Sequence, residues 1–243
     1  MMQEKVELYT PPKKWYKRWW VIVLLVIIIL GLLFAPFYAF QFYKIYKQVK
    51  MGTYISVAAL EQNAPYKMQN LVDPMSPWIG AEDAPIQIVE FGDFNCKLCL
   101  KAFPDVRAMT NKYNDKVKFY WRNYPVISED SVELAKAGIC AHKQDKFWFF
   151  HDKLFQMQGN VDAQQLAEII DMLDMDAAEF KKCLDNPLTL AQLKKDYYAA
   201  DEGEVRGTPT FFVNGYKIET AVPLEMWENL IDKFLVVYEK QNE

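Results

Sequence analysis

The sequence has few of the residues that hold metal ions in proteins. It contains two histidines and four cysteines in 243 residues. A structural zinc site needs four ligands, which usually come from two close pairs of cysteine or histidine. Only one such pair is present, Cys96 and Cys99. We therefore predict no metal site, and no other pattern in the sequence indicates a bound cofactor.

The chain lacks an excess of positive charge outside the first fifty residues. Up to Lys50 the chain has eight Lys and Arg against two Glu, whereas the remainder has twenty basic against thirty acidic residues. This acidic balance argues against nucleic-acid binding. Four cysteines are also too few to form a disulfide scaffold in a chain of this length. Since 51% of the residues are hydrophobic and 15% are aromatic, the chain can form a packed core.

Charge is absent from residues 19–43, where the middle of the segment is continuously aliphatic. At about 1.5 Å per residue, a helix of this length crosses a hydrocarbon layer of about 30 Å. Lys13, Lys14, Lys17 and Arg18 precede the segment, and the positive-inside rule then places residues 1–18 in the cytoplasm. A cleaved signal peptide is the competing interpretation. The apolar run is long for one and lacks paired small residues, so we favour a single-pass cell-membrane anchor with an extracytoplasmic domain.

The chain after the anchor begins with a weakly patterned segment, and we predict a linker over residues 44–77. The apolar run from Pro85 to Phe91 predicts a buried strand. A helix from Cys96 to Tyr113 and a second strand from Val117 to Trp121 should follow. A strand, a helix and a strand in this order predict a parallel strand pair.

Residues 128–204 have helical periodicity. We predict five helices there, at Ser131–Lys143, Lys146–Met157, Asp162–Leu173, Asp176–Leu184 and Leu188–Asp201. A strand at Thr210–Val213 then turns at Asn214–Gly215 into a hairpin. A final amphipathic helix should run from Pro223 to Glu239.

The close thiol pair is the most informative feature of the sequence. If Cys96 and Cys99 lie one turn apart at the start of a helix, their sulfurs can pair or can exchange a disulfide with another chain. The spacing alone is also compatible with half of a metal site or with a structural disulfide.

Three stretches carry a more specific pattern: Ala84–Cys99, Lys146–Phe155 and Gly207–Gly215. With the order of predicted elements, they resemble the α/β thioredoxin fold with an inserted helical domain, as in DsbA-like thiol:disulfide oxidoreductases. The resemblance assigns residues 78–127 and 205–243 to the thioredoxin-like domain and residues 128–204 to the insertion.

The resemblance implies roles for five residues. Cys96 would be the exposed attacking cysteine and Cys99 the buried resolving one, and a helix N-terminus would lower the pKa of Cys96. Glu90 would relay protons to Cys99, although a strand-end glutamate that reaches solvent is an equal alternative. Thr208 and Pro209 would form the family's cis-proline loop beside the thiols.

Two further pairs of residues follow from the resemblance. Between the cysteines, DsbA-like enzymes usually have proline first, whereas this chain has Lys97 and Leu98. These two residues should tune the redox potential, through the charge of Lys97 or through a looser start to the helix. A structural disulfide between Cys140 and Cys183 is implied in the insertion, with two separate buried thiols as the alternative.

The leading hypothesis is an enzyme that introduces disulfides into secreted or surface proteins. A membrane partner similar to DsbB or to vitamin K epoxide reductase would reoxidise it. A reductase or isomerase of the same fold is the first alternative. An anchored binding module with a structural Cys96–Cys99 disulfide is the second.

Overall fold

The computed structural model describes residues 19–50, 66, 68–157 and 161–242, without the side chains of residues 45–50, 241 and 242. It divides into two units, residues 1–54 and 55–243. The described part of the first unit is helix α1, Trp19–Lys50. Within it, Trp19–Lys44 has 26 residues and a mean hydropathy of 3.0, so it is long and apolar enough to cross a membrane. The predicted cytoplasmic segment, residues 1–18, and residues 51–65 and 67 of the predicted linker lie outside the described residues.

The second unit contains a five-stranded mixed sheet. Its strands are β1 (Trp78–Gly80), β2 (Ile86–Gly92), β3 (Val117–Asn123), β4 (Thr210–Val213) and β5 (Tyr216–Ile218), in the spatial order β1-β3-β2-β4-β5. The described helices of this unit are α2 (Met68–Leu71), α3 (Lys97–Lys112), α4 (Glu129–His142), α5 (Phe147–Gln156), α6 (Ala163–Met172), α7 (Ala177–Leu184), α8 (Pro187–Glu202) and α9 (Leu224–Asn242). Strands β2 and β3 are parallel, and the other three pairings are antiparallel.

The central strand β2 is buried on both faces, and its side chains alternate between two cores. Ile86 and Ile88 face the core that is shared with α3 and α9. Val89 and Phe91 face the core that is shared with α2 and α8. By the same alternation, Glu90 lies on the face of the sheet that α3 covers.

Helices α4 to α8 form the predicted insertion, and their ends fall within two residues of those predicted. Local sequence explains several of these ends. Asp162 caps α6 in a capping box with Gln165, and Asn186 caps α8 ahead of a proline at its first position. The disulfide implied by the resemblance is present: Cys140 in α4 joins Cys183 in α7, with Cα atoms 5.7 Å apart.

The predicted linker, residues 44–77, is wrong at both ends. Helix α1 continues beyond residue 43 to Lys50. Residues 68–71 form α2, and Leu71, which is 1% exposed, packs into the sheet core. The backbone N–H of Tyr66 donates to the carbonyl of Gly215 at 2.9 Å. The packed unit therefore begins by residue 66. Single apolar residues among Asn, Pro and Met gave no periodicity that would have indicated this packing.

Strand β1 is the second element that the sequence analysis missed. It has three residues and ends at Gly80, whose φ of 109° is rarely adopted by other residues. A Cβ at Gly80 would lie 1.9 Å from the carbonyl oxygen of Val117. A strand this short has too few side chains to show alternation.

A buried ion pair joins the insertion to the sheet. Arg122 at the end of β3 bonds Asp196 of α8, with Nε and Oδ1 2.7 Å apart. Arg122 also donates to the carbonyls of Leu71 and Lys195, and Asn123 donates twice to Asp196 Oδ2. Both charges are thus hydrogen-bonded, as burial requires.

Candidate active site

Cys96 is the N-cap residue of α3. Its backbone is extended, with φ −78° and ψ 118°, and its Sγ accepts a hydrogen bond from the backbone N–H of Cys99 at 3.3 Å. The sulfur thus takes the place of the side-chain oxygen that usually caps a helix. The two cysteines are one turn apart with both sulfurs at the helix start, and both are present as free thiols.

The surroundings of Cys96 lower the pKa of its thiol from 9.0 to about 6. The largest cause is a hydrogen bond from the Cys99 thiol. Thr208 and the backbone N–H groups of Cys99 and Leu98 act in the same direction, while burial opposes them. The Thr208 hydroxyl is buried and has no hydrogen-bond partner among the described residues, so it can turn toward the Cys96 sulfur. Cys96 is therefore mostly thiolate at neutral pH.

The prediction that Cys96 is exposed is wrong, because the residue is only 4% accessible. The residue lies against the loop before β4, and in its protonated form the thiol donates to the carbonyl oxygen of Thr208 at 3.1 Å. The peptide bond between Thr208 and Pro209 is cis. The exposed residues at this helix start are instead Lys97 and Leu98.

Cys99 is buried beneath the first turn of α3, and the pKa of its thiol is raised. Burial is the main cause, followed by the hydrogen bond to Cys96 and by the negative charges of Glu90 and Cys96. The two thiols therefore differ, with an acidic one at the helix cap and a weakly acidic one below it.

Glu90 is 4% exposed, so the alternative of a strand-end glutamate that reaches solvent is wrong. Burial, and secondly the charge of Cys96, raise the pKa of Glu90 from 4.5 to about 8. In the sheet, Glu90 pairs with Trp121 of β3 on one side and with Phe211 of β4 on the other, and both of these side chains are fully buried. Its carboxyl group is mostly protonated at neutral pH, so it can give a proton.

Two polar residues that the sequence analysis did not select surround the same turn. Asp93 is buried and accepts three backbone hydrogen bonds, and Asn95 bonds the start of α4. The only available sequence signal was an Asp and an Asn just before the helix cap, which is typical of many turns.

The histidines do not join the thiols in hydrogen bonds. His151 lies buried in α5 with its Nδ1 3.0 Å from Asp152 Oδ1 and its ring against Trp121. In the part of the chain that the structure describes, no three His, Cys, Asp or Glu residues group closely enough to hold a metal ion.

Comparison with known proteins gives a consistent family. A family model described as Thioredoxin matches residues 72–233. A protein of Bacillus cereus named probable disulfide bond formation protein D is 34% identical over 154 residues, which cover 56% of this chain and 69% of that protein. The crystal structure of oxidised BdbD from Bacillus subtilis superposes with a TM-score of 0.59 at 26% identity, covering 71% of this chain and 96% of that one.

A relative of a different kind has the same sequence identity to this chain. The Na(+)/H(+) antiporter NhaA 1 of Salinispora arenicola is 34% identical over 147 residues, which cover 59% of this chain and 22% of the antiporter. The chain thus spans about a fifth of the length of this curated relative. The resemblance and the thioredoxin fold predicted from the sequence are confirmed.

Proposed function

The chain belongs to the thioredoxin family, and we propose that it is a membrane-anchored thiol–disulfide oxidoreductase that forms disulfides in secreted or surface proteins. The observation that carries the proposal is the pair of unequal thiols on α3. Cys96, with a pKa of about 6, is a good leaving group at neutral pH, and the buried Cys99 lies one turn behind it.

The reaction starts from the oxidised enzyme. A substrate thiolate attacks the Cys96 sulfur and forms a mixed disulfide, while the Cys96–Cys99 bond breaks and its electron pair goes to Cys99. Glu90, which is protonated at neutral pH, supplies the proton that Cys99 takes up. A second substrate thiolate then attacks the substrate sulfur of the mixed disulfide and releases Cys96 as a thiolate. The substrate dithiol has become a disulfide, and the enzyme is reduced.

Thr208 and Pro209 lie along one side of the site. The Thr208 carbonyl contacts the Cys96 sulfur, so the loop lies where the substrate sulfur must arrive. An extended substrate segment can pair with the backbone there, as peptides do at other exposed backbone edges.

The membrane topology and the partners belong to the same proposal. Helix α1 would anchor the chain in the bilayer, with residues 1–18 in the cytoplasm and the thiols outside. The reduced enzyme needs an electron acceptor, for which we propose a membrane protein similar to DsbB or to vitamin K epoxide reductase. Cysteine-containing unfolded proteins would be the substrates.

Trapping tests the proposal directly. In cells that carry Cys99→Ser, Cys96 cannot be released by its neighbour, so we expect mixed disulfides between Cys96 and other extracytoplasmic proteins on non-reducing gels. Cys96→Ser is the matched control and should trap nothing. A Cys99→Ser protein that stays free of adducts while Cys96 still reacts with an alkylating agent would rule out the enzyme.

The alternatives make different predictions. A reductase or isomerase is compatible with the missing proline at position 97 and with Thr208 before Pro209, and a membrane electron donor would keep its Cys96 and Cys99 reduced in cells. An alkylation-shift assay of both residues separates it from an oxidase. A binding module with a structural disulfide would have a Cys96 pKa of about 8.5 once reduced, whereas the proposed enzyme would have one of about 6; titration of the reduced protein distinguishes the two.

A further inference from the structure

The carboxylate of Asp93 joins two loops that are far apart in the sequence. Its Oδ1 accepts the backbone N–H of Asn95 at 2.8 Å, in the turn that leads to the thiols. Its Oδ2 accepts the backbone N–H groups of Val126 and Ile127, each at 2.9 Å, in the loop between β3 and α4. Asp93 is 2% exposed, so its carboxylate is shielded from water, and all three bonds are at least partly buried.

A second connection runs beside the first. The side-chain amide of Asn95 donates to Ser128 Oγ at 2.8 Å and to Ser131 Oγ at 3.3 Å. Asn95 directly precedes Cys96, and Ser128 directly follows Ile127. The loop of residues 126–128 is therefore held next to the active-site turn by hydrogen bonds from two consecutive turn positions.

The side chains that this loop presents are apolar and accessible. Val126 is 48% exposed and Ile127 is 52% exposed, although their backbone N–H groups are bound. Leu98, two residues after Cys96, is 51% exposed. Cys96 itself is only 4% exposed, so these accessible apolar side chains are close to a site that presents little surface of its own.

We propose that Asp93 is a positioning residue that holds Val126 and Ile127 beside Cys96, where they contact apolar residues flanking the cysteine of a polypeptide substrate. The inference rests on the proposed function. Asp93 suits this role because a carboxylate has two acceptor oxygens, whereas an asparagine would turn an NH₂ group toward one set of N–H donors. The loss of one set would loosen the loop, which would then be held to the turn by the bonds of Asn95 to Ser128 and Ser131 alone.

The test uses the oxidised full chain in detergent micelles and two peptides. Each peptide has two cysteines, which are flanked by leucine and valine in one and by glycine and serine in the other. We measure the rate constant for reduction of the enzyme by each peptide. The preference is the ratio of the rate constant for the apolar peptide to that for the glycine–serine peptide. In Asp93→Asn we expect the preference for the apolar peptide to fall about tenfold, which is the scale of losing contact with one or two aliphatic side chains. Asp83→Asn, an exposed aspartate, is the matched control and should keep the ratio.

A second variant keeps the test decisive if Asp93→Asn does not fold. Val126→Ser with Ile127→Ser leaves Asp93 in place and should lower the same ratio by a similar factor. Adding Asp93→Asn to it should lower the ratio no further, since both act through one loop. An unchanged ratio in the double serine variant, or equal losses with both peptides in Asp93→Asn, would overturn the inference. If the wild-type disulfide reacted with neither peptide, the proposed function itself would fail.

Discussion

Replacing Glu90 by glutamine should stabilise the protein, and the gain should grow with pH. The side chain is buried between Trp121 and Phe211 on the central strand, and burial is the main cause of its raised pKa. Glutamine keeps the shape and can still donate a hydrogen bond, but it never ionises. The substitution therefore removes the penalty for a buried charge and leaves the packing in place.

The magnitude follows from the two protonation equilibria. The pKa of Glu90 is about 8 in the folded protein against an ordinary value of 4.5. Between these pH values the folded state holds a proton that the unfolded state has lost, so the stability of the wild type falls as pH rises. At about 1.4 kcal/mol per pH unit, the penalty at pH 7 is about 3 kcal/mol, and it is small near pH 4.

Urea unfolding at pH 5, 6, 7 and 8 measures the free energies of unfolding of Glu90→Gln and of the wild type. Tryptophan fluorescence is the signal, and the full chain is kept in detergent micelles. Oxidised protein should be used, so that neither Cys96 nor Cys99 titrates. Burial, the larger cause of the raised pKa, then acts on Glu90 without the charge of Cys96, so about 3 kcal/mol is the upper limit of the penalty at pH 7. The control is Glu82→Gln, an exposed loop position, which should show little change at any pH. A free-energy difference between Glu90→Gln and wild type that stays constant from pH 5 to 8 would refute the reasoning.

Three other outcomes are expected. The absorbance of the thiolate at 240 nm should titrate with a pKa near 6 for Cys96, and Cys99→Ala should raise that value, because the Cys99 hydrogen bond is the largest cause of the shift. Asp196→Ala should lower the free energy of unfolding by about 3–5 kcal/mol in a urea titration, because it leaves the charge of Arg122 buried without its partner. Replacing Cys140 and Cys183 by serine should cost about 4 kcal/mol, since the disulfide closes a loop with a sequence separation of 43 residues. Equal melting temperatures with and without that disulfide would contradict this estimate.

The elements that the sequence predicted well are those with strong local signals. The apolar run of α1, the Asn214–Gly215 hairpin and the capped helices of the insertion each depend on neighbours in the chain. Asn214 and Gly215 both adopt positive φ, at 47° and 89°, as a two-residue hairpin requires. Periodicity and turn chemistry were sufficient to locate these elements.

The features that the sequence did not reveal depend on distant residues. Asp196 was one of many acids in a helical stretch, and only the fold brings it 2.7 Å from Arg122. The burial of Cys96 likewise depends on Thr208, which is 112 positions away in the sequence. Local sequence patterns do not indicate such contacts, so both the buried ion pair and the burial of Cys96 could be found only from the three-dimensional structure.

The pKa of Cys96 also bears on the direction of electron flow. A lower thiolate pKa stabilises the reduced enzyme and makes its disulfide more oxidising. Thioredoxin has a pKa of about 7 and a potential of about −270 mV, while DsbA has about 3.5 and about −120 mV. With a pKa of about 6, we expect a Cys96–Cys99 potential of about −230 mV by interpolation between them.

That potential is enough for an oxidase. Structural disulfides in secreted proteins lie below about −300 mV, so electrons would still flow from substrate thiols to the enzyme. Lys97 is exposed, and the groups that lower the pKa are Cys99, Thr208 and backbone N–H groups, so Lys97→Ala should move the potential little. Equilibration of the full chain with glutathione buffers measures the redox potentials of the wild type and of Lys97→Ala. A wild-type potential at or below about −270 mV would favour the reductase instead.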